Sequence, residues 1–148
     1  MSIKQDLLQV CTDYVNKRIY NYKLEMDTIK ESIENNDKSN DEDDDSGNGK
    51  LLNDLEKNAQ YLNDAAKMLD ILKQINPKTQ NQHATLGSIV YTQSSIFFLS
   101  VSVGRIDLEG SSYFAISLQS PIGMLLKNKE KGDSINFNGT SYTITNII

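Results

Sequence analysis

Apolar residues recur with a helical period through the first half of the chain. From Gln5 to about residue 36 they alternate steps of four and three, which places them on one stripe of a helix. The members of this stripe are Leu8, Thr12, Val15, Ile19, Tyr22, Met26, Ile29 and Ile33. We call the stripe a seam, because heptad spacing of this kind predicts that the helix packs along its length against a partner helix.

A second seam runs between Lys50 and Ile75. Its members are Leu51, Leu55, Asn58, Leu62, Ala65, Leu69 and Leu72. Asn58 is the one polar member, and a polar seam residue favours a single register at some cost in stability. Two seams joined by a polar, Gly-containing stretch predict an antiparallel coiled-coil hairpin over residues 1–76. Since a helix of about 30 residues reaches roughly 45 Å, we expect residues 37–49 at the far tip of a rod.

The pattern changes from helical to strand-like in the second half. Asn76-Pro77 ends the second helix, because proline lacks the amide proton and disfavours helix at the residue before it. A polar linker follows over residues 77–85. The predicted strands are residues 87–92, 95–103 and 112–118, with a turn at Gly104 or at residues 107–110.

A short helix and a hairpin complete the C-terminal part. Ser120 and Pro121 suit the N-cap and the first position of a helix that ends near Asn128, a residue that tolerates a left-handed conformation. Strands at 134–137 and 140–147 flank Asn138-Gly139, the strongest signal for a two-residue turn. Residues 86–148 are therefore predicted to be a small antiparallel sheet with one helix, and the fold class is α+β.

Composition limits the classes of protein. The 148 residues suffice for one ordinary domain or two small ones. The single cysteine, Cys11, cannot form an internal disulfide and is expected to be a small packed hydrophobe. With no apolar core of a signal peptide and no run of about 18 apolar residues, we expect a cytoplasmic protein with no membrane partner. A pI near 4.8 and the lack of a basic stripe argue against direct, specific DNA binding.

One short segment holds the net charge of the chain. It contains the unbroken acidic run Asp41, Glu42, Asp43, Asp44 and Asp45. Residues 37–45 sum to −5, the formal charge of the whole chain. An EF-hand is excluded, because Ser46 and Leu52 stand where that loop needs Gly and a bidentate Glu. The run could instead offer carboxylates to a Mg²⁺ in a partner's active site, or be a solvated charge run.

Catalysis by the chain alone is not predicted. The only histidine, His83, lies in the linker, where we expect it to be exposed, and no phosphate loop, CxxC or HExxH pattern occurs. The aromatic residues of the second half are expected in the core rather than on a base-stacking platform. They are Tyr91, Phe97, Phe98, Tyr113, Phe114, Phe137 and Tyr142.

Residues 116–135 resemble the C-terminal domain of the Gre transcript-cleavage factors. Ser120-Pro121-Ile122, Leu125-Leu126 and Gly132-Asp133 fall at the spacing of that family, and the similarity covers residues 87–148. Asn128 departs from the family, where a glycine is usual. Gre factors join an N-terminal antiparallel coiled coil with an acidic tip to a domain of FKBP-like fold, which is the order of elements predicted here.

The resemblance implies a partner and a mechanism. The C-terminal domain would dock at the rim of the secondary channel of bacterial RNA polymerase, with Ser120, Pro121, Ile122 and Gly123 as docking candidates. The coiled coil would enter the channel and contact nascent RNA only indirectly. Carboxylates of residues 41–45, Asp43 and Asp44 above all, would share a second Mg²⁺ with the polymerase. The polymerase would then cleave its own backtracked RNA by two-metal chemistry.

A second hypothesis follows from a departure in the N-terminal half. Residues 54–61 echo the acidic tip motif of Gre factors, but Lys57 and Gln60 replace its two glutamates, and heptad counting places the segment well along the second helix. The alternative is a Gre-shaped protein that occupies the channel and inhibits or regulates the polymerase without cleavage. A prolyl isomerase is disfavoured, because the chain has no Trp for the floor of such a pocket.

Overall fold

The computed structural model describes residues 2–38 and 45–148. Three helices and six strands occur in this part of the chain. They are α1 (Ile3–Lys38), α2 (Asp45–Lys73), β1 (Ile89–Thr92), β2 (Ile96–Ser100), β3 (Gly104–Leu108), β4 (Ser111–Ser117), α3 (Pro121–Leu126), β5 (Ser134–Phe137) and β6 (Thr140–Ile147). A long helical hairpin followed by a six-stranded sheet with one helix confirms the predicted α+β class.

Contacts divide the chain into two compact units. The hairpin unit is Val15–Leu69, and the sheet unit combines Met1–Tyr14 with Asp70–Ile148. The division cuts through both long helices, whereas the sequence pattern placed one boundary after residue 76. The division into a hairpin domain at 1–76, a linker at 77–85 and a C-terminal domain at 86–148 remains a prediction.

The hairpin unit buries the predicted seams. Val15, Ile29 and Ala65 are buried, and the other seam residues of this unit are half-buried. Tyr22 of α1 and Tyr61 of α2 lie with ring centroids 5.7 Å apart. The Asn58 amide donates to the Asp54 carbonyl 2.9 Å away within its own helix, so this polar group is satisfied without a partner on α1.

The sheet unit contains a mixed sheet with strand order β3-β4-β2-β1-β6-β5. All neighbouring strands are antiparallel except β2 and β4, which are parallel from Phe97 opposite Phe114 to Ser100 opposite Ser117. This pairing departs from the purely antiparallel expectation. The chain leaves β2, forms β3 as the edge strand and returns as β4 between the two. Because β3 runs in the opposite direction to β2 and pairs antiparallel with β4, β4 runs parallel to β2.

Both faces of the central strands are buried, which explains their unbroken hydrophobic runs. Phe97 and Leu99 contribute to a core shared with α3. Phe98 and Ser100 alternate with them on the opposite face, and the Ser100 Oγ lies 4.0 Å from the Cys11 Sγ of α1. The first turns of α1 thus cover this second face. Cys11 is fully buried, which confirms its expected role as a packed residue.

The two tight hairpins have the same turn conformation. Glu109-Gly110 joins β3 to β4, and Asn138-Gly139 joins β5 to β6, with positive φ at all four residues. This is the backbone of a type I′ turn, which glycine adopts without strain. The turn at Asn138-Gly139 is as predicted. The other turn lies within the predicted residues 107–110, but residues 104–108 form β3, which the sequence pattern did not predict.

Residues 77–85 make several long-range contacts. The Lys4 Nζ donates to the Thr79 carbonyl 2.6 Å away. Ala84 is fully buried, and His83 pairs with Glu130 in an isolated β-bridge. The predicted polar linker is therefore attached to the sheet unit at both its ends.

Candidate functional site

The start of α3 is fixed by a serine cap. The Ser120 Oγ accepts a hydrogen bond from the Gly123 amide (3.1 Å) and donates one to the Ser117 carbonyl (2.6 Å). Pro121 stands in the first turn, where its missing amide proton has no consequence. These contacts confirm the predicted helix start and tie it to the end of β4.

Gly123 allows α3 to lie against the end of β4. A Cβ built at this position would stand 2.0 Å from the Ser117 carbonyl oxygen, so no larger residue fits without movement of the backbone. Leu126 is fully buried in the core, and Ile122 packs against that core. Ser120, Ile122 and Gly123 thus have structural roles in positioning α3. Their role in docking remains a prediction.

The outward face of α3 is apolar. Pro121 is exposed, Met124 is 64% exposed and Leu125 is 40% exposed. A helix of six residues that packs inward through Leu126 would usually carry polar residues on its other side. The packing of this unit therefore gives no reason for Met124 and Leu125 to be apolar.

The segment after α3 holds three lysines on a fixed backbone. Asn128 has a φ of 65°, the left-handed conformation predicted for it. The backbone N–H of Asn128 donates to the Ala84 carbonyl at 2.8 Å. The backbone N–H of Ala84 donates to the Lys129 carbonyl, also at 2.8 Å. Lys127, Lys129 and Lys131 are all exposed.

The carboxylates of the same segment are engaged by other groups. Glu130 Oε1 lies 2.7 Å from His83 Nε2, and Asp133 Oδ2 accepts from the Glu130 amide at 2.8 Å. Within the described part of the chain, none of the three lysines forms a salt bridge. His83 is exposed as predicted, but its pairing with Glu130 was not foreseen, because the two residues are 47 positions apart.

The acidic run falls between the two long helices. α1 ends at Lys38, and α2 begins at Asp45. Asp41, Glu42, Asp43 and Asp44 lie outside the described residues, so the structure does not test the predicted metal ligands Asp43 and Asp44. Asp45 is the first residue of α2. The side-chain amide of Asn36 in α1 donates to the side-chain oxygen of Asn48 in α2 at 3.2 Å.

Residues 54–61 lie wholly inside α2, as heptad counting predicted. Asp54 is nine residues beyond the first residue of the helix, which is roughly 13 Å at 1.5 Å per residue. Asp54 is half-buried, while Glu56 and Lys57 are exposed. The tip-like segment is thus a stretch of regular helix well inside α2 rather than at its first turn.

The sheet unit also contains two clefts. No three His, Cys, Asp or Glu side chains come together there as a metal site, and no helix there is long and apolar enough to cross a membrane. A cleft of about 380 Å³ lies beside the first turns of α1 and Pro77, and a second of about 180 Å³ lies beside Gln74 and Gln119. Asp6 is the one charged residue that lines the first cleft, and the residues that line the second are all uncharged.

Cys11 and Lys4 are two buried titratable groups of the sheet unit. Burial raises the pKa of the Cys11 thiol to about 11, against the opposing effect of the nearby Ser100 hydroxyl. Burial lowers the pKa of Lys4. The Cys11 Sγ lies 4.0 Å from the Ser100 Oγ, and the Lys4 Nζ donates to the Thr79 carbonyl, so neither of these contacts is an ion pair.

Comparison with known proteins found little. No family model matches the chain, and no curated protein matches it. Two of the solved structures that match it are each 16% identical to it. The transcription factor Gfh1 gives a TM-score of 0.38 over 93% of this chain and 92% of the other. GreA factor homolog 1 (Gfh1) of Thermus thermophilus gives 0.36 over 93% and 94%. An overlap of this quality assigns neither a family nor an activity to the chain.

Proposed function

We propose that this chain is a Gre-like transcription elongation factor that binds bacterial RNA polymerase in the cytoplasm through the secondary channel. The observation that carries the proposal is the position of the acidic run in the connection between α1 and α2. The two long helices that flank the run bury residues of their predicted seams. The Ser120-Pro121-Ile122 start of α3 supplies the second part of the resemblance.

In this proposal the two parts of the chain have separate roles. The sheet unit docks at the rim of the channel through the start of α3, residues Ser120, Pro121, Ile122 and Gly123, of which Pro121 is the exposed one. The hairpin enters the channel and brings the acidic run to the catalytic centre. Asp43 and Asp44 then share a Mg²⁺ with the polymerase, which cleaves its own RNA. The chain has no catalytic group of its own in this scheme and touches RNA only indirectly.

Transcript cleavage by stalled, backtracked elongation complexes tests this mechanism. The test variant carries Asp41→Asn, Glu42→Gln, Asp43→Asn, Asp44→Asn and Asp45→Asn. We expect it to bind polymerase but to lose stimulation of cleavage, because the neutral side chains no longer hold the metal. A matched control neutralises five exposed acids of the two helices, namely Glu25, Asp27, Glu31, Glu34 and Glu56. Equal stimulation by both variants would contradict the metal-holding role.

A specific observation favours the alternative of a factor that occupies the channel without cleavage. The segment that resembles the Gre tip lies inside α2 and carries Lys57 and Gln60 in place of two glutamates. Under this alternative the wild-type chain binds polymerase and slows elongation, and stalled complexes show no added cleavage. The same assay on the wild-type chain therefore separates the two functions.

A further inference from the structure

The chain contains two Asn-Gly pairs, and the structure holds them differently. An asparagine followed by glycine is prone to lose its side-chain amide, because glycine has no side chain to hinder attack by its own backbone nitrogen. Asn138-Gly139 forms the turn between β5 and β6, whereas Asn48-Gly49 lies in the first turns of α2. The same reactive sequence thus occurs once in a turn and once in a helix of a single molecule.

The turn leaves both reacting groups of the Asn138-Gly139 pair accessible. Both residues are exposed, and within the described part of the chain neither the Asn138 side chain nor the Gly139 N–H makes a hydrogen bond. Asn138 also has a φ of 48°, a left-handed conformation that a residue with a side chain adopts at some cost. The turn leads from β5, an edge strand of four residues, so opening of the hairpin at its tip disrupts little else.

Asn48 is restrained by its own helix and by α1. Its side chain is half-buried, and its side-chain oxygen accepts from the side-chain amide of Asn36 at 3.2 Å. Gly49 is the fifth residue of α2, where backbone N–H groups begin to donate to the carbonyl one turn earlier. The Gly49 nitrogen therefore reaches the Asn48 side chain only after this end of the helix has opened.

We infer that Asn138 is a site of spontaneous deamidation in the folded chain. After local opening of the turn, the Gly139 nitrogen attacks the Asn138 Cγ. The N–Cγ bond forms, the Cγ–Nδ2 bond breaks, and the Gly139 amide proton leaves with the side-chain NH2 group as ammonia. Water then opens the five-membered succinimide ring. Addition of water at Cγ gives aspartate, and addition at the backbone carbonyl carbon gives isoaspartate, in which the main chain passes through Cγ.

The reaction involves no oxidation or reduction and needs only water, and the inference does not depend on the proposed function. The other tight turn of the sheet unit supports the assignment of the site to Asn138 alone. Glu109-Gly110 has the same conformation, but its first residue has a carboxylate in place of an amide. The structure therefore offers two turns of the same shape, of which one can lose ammonia.

Isoaspartate at position 138 is expected to loosen β5. It adds one atom to the main chain of a two-residue turn, so Phe137 and Thr140 no longer stay in register. β6 is also paired with β1, but β5 is an edge strand that pairs with β6 alone. Loosening of β5 exposes Ile135, a buried residue of the core that includes Leu126 of α3.

Ageing of the full-length chain at mildly alkaline pH, followed by peptide mapping with mass spectrometry, tests the inference. Electron-transfer fragmentation distinguishes isoaspartate from aspartate. In the folded chain we expect Asn138 to react at least about tenfold faster than Asn48, which corresponds to a difference of about 1.4 kcal/mol in the free energy of local opening. In the chain unfolded by urea the two rates should become similar, because the structural difference is gone.

Two results of this experiment overturn the inference. One is retention of the Asn138 amide in the folded chain over a period in which the unfolded chain loses it. The other is conversion of Asn48 as fast as Asn138 in the folded chain, because the structure would then make no difference between the two pairs.

Two variants test the consequence for β5. Asn138→Gln keeps an amide but requires a slower six-membered ring closure, so ageing should leave its melting temperature unchanged. The aged wild type should melt at a lower temperature as its isoaspartate content rises, with faster hydrogen exchange in β5. Fresh Asn138→Asp carries the charge of the ordinary product without the added main-chain atom, and it should melt close to the fresh wild type. Equal losses in aged Asn138→Gln and aged wild type would contradict the role of position 138.

Discussion

The sheet unit and the hairpin unit differ in how many sides of each element are buried. In the sheet unit the central strands are covered on both faces, so Ile89, Phe98 and Leu99 are fully buried. In the hairpin unit each helix packs through one seam, most of whose members keep some exposure to water. The sheet unit can therefore hold a surface such as α3 in a fixed position. In its described residues the hairpin unit has one buried stripe per helix and no core that is covered on two sides.

The largest effect is expected from truncating the centre of the sheet unit. Phe98→Ala removes a fully buried ring and should lower the free energy of unfolding by about 3–5 kcal/mol. Urea denaturation followed by circular dichroism measures the change. Leu125→Ala, at a 40% exposed position, is the control and should shift stability by less than about 1 kcal/mol. Similar effects of the two substitutions would mean that the sheet unit lacks the two-sided core described.

Gly123 of α3 and Gly49 of α2 should change stability with opposite signs when each is replaced by alanine. Gly123→Ala drives a methyl group into the Ser117 carbonyl and should lower the free energy of unfolding by about 3 kcal/mol. Gly49→Ala in α2 meets no atom within 4 Å and should raise stability by about 0.8–1 kcal/mol through helix propensity. Thermal denaturation compares both variants with the wild type. A neutral result for Gly123→Ala would contradict the close packing of α3 on β4.

The sheet unit should also lose stability at alkaline pH through Cys11. Its pKa of about 11 exceeds the ordinary value of 9.0, so between these values the unfolded chain releases the thiol proton while the folded chain retains it. The free energy of unfolding must then fall as the pH rises through this window, by up to about 2–3 kcal/mol at 1.36 kcal/mol per pKa unit.

Comparison with Cys11→Ala isolates this contribution. The pKa of Lys4 is lowered, so Lys4 acts in the opposite direction, but it is present in both proteins and cancels in the difference. Stability measured from pH 8 to pH 11.5 should converge between the wild type and the variant as the pH rises. Curves that stay parallel would show that the Cys11 thiol is not buried as described.

A smaller and more local effect is expected in the hairpin unit. Ile29→Ala removes a buried seam residue and should lower local stability by about 2 kcal/mol, the low end for such a truncation, because half-buried neighbours can close in. Hydrogen exchange should show faster opening of amides in the hairpin unit, with those of β2 unchanged. Faster exchange in β2 as well would contradict the separation into two compact units.

Sequence patterns predicted the elements that are stabilised by residues close together in the sequence. Ser120 caps its own helix, Asn138-Gly139 forms its own turn, and each seam repeats within one helix, so all of these were predicted. β3 was missed because Arg105 and Asp107 flank its one buried residue, Ile106, and because residues 107–110 read as a turn. An edge strand of this kind carries little hydrophobic signal.

Long-range features could not be predicted from local patterns. The parallel pairing of β2 with β4 depends on where the chain returns after β3. The contact of Lys4 with Thr79 joins residues 75 positions apart. The exposure of Met124 and Leu125 is a further case, because the sequence shows an apolar helix but not which of its residues face the core. The acidic run was the reverse case, prominent in the sequence and largely outside the described residues.

Site-specific cross-linking tests the central claim, entry of the hairpin into the polymerase channel, most directly. A photo-reactive phenylalanine analogue placed at Asp43 is activated in the complex with bacterial RNA polymerase core enzyme, and mass spectrometry identifies the residues it labels. The proposal predicts cross-links to polymerase residues beside the catalytic Mg²⁺, whether or not cleavage is stimulated. Cross-links confined to the outer surface of the polymerase, or none at all under conditions where the chain binds, would contradict it.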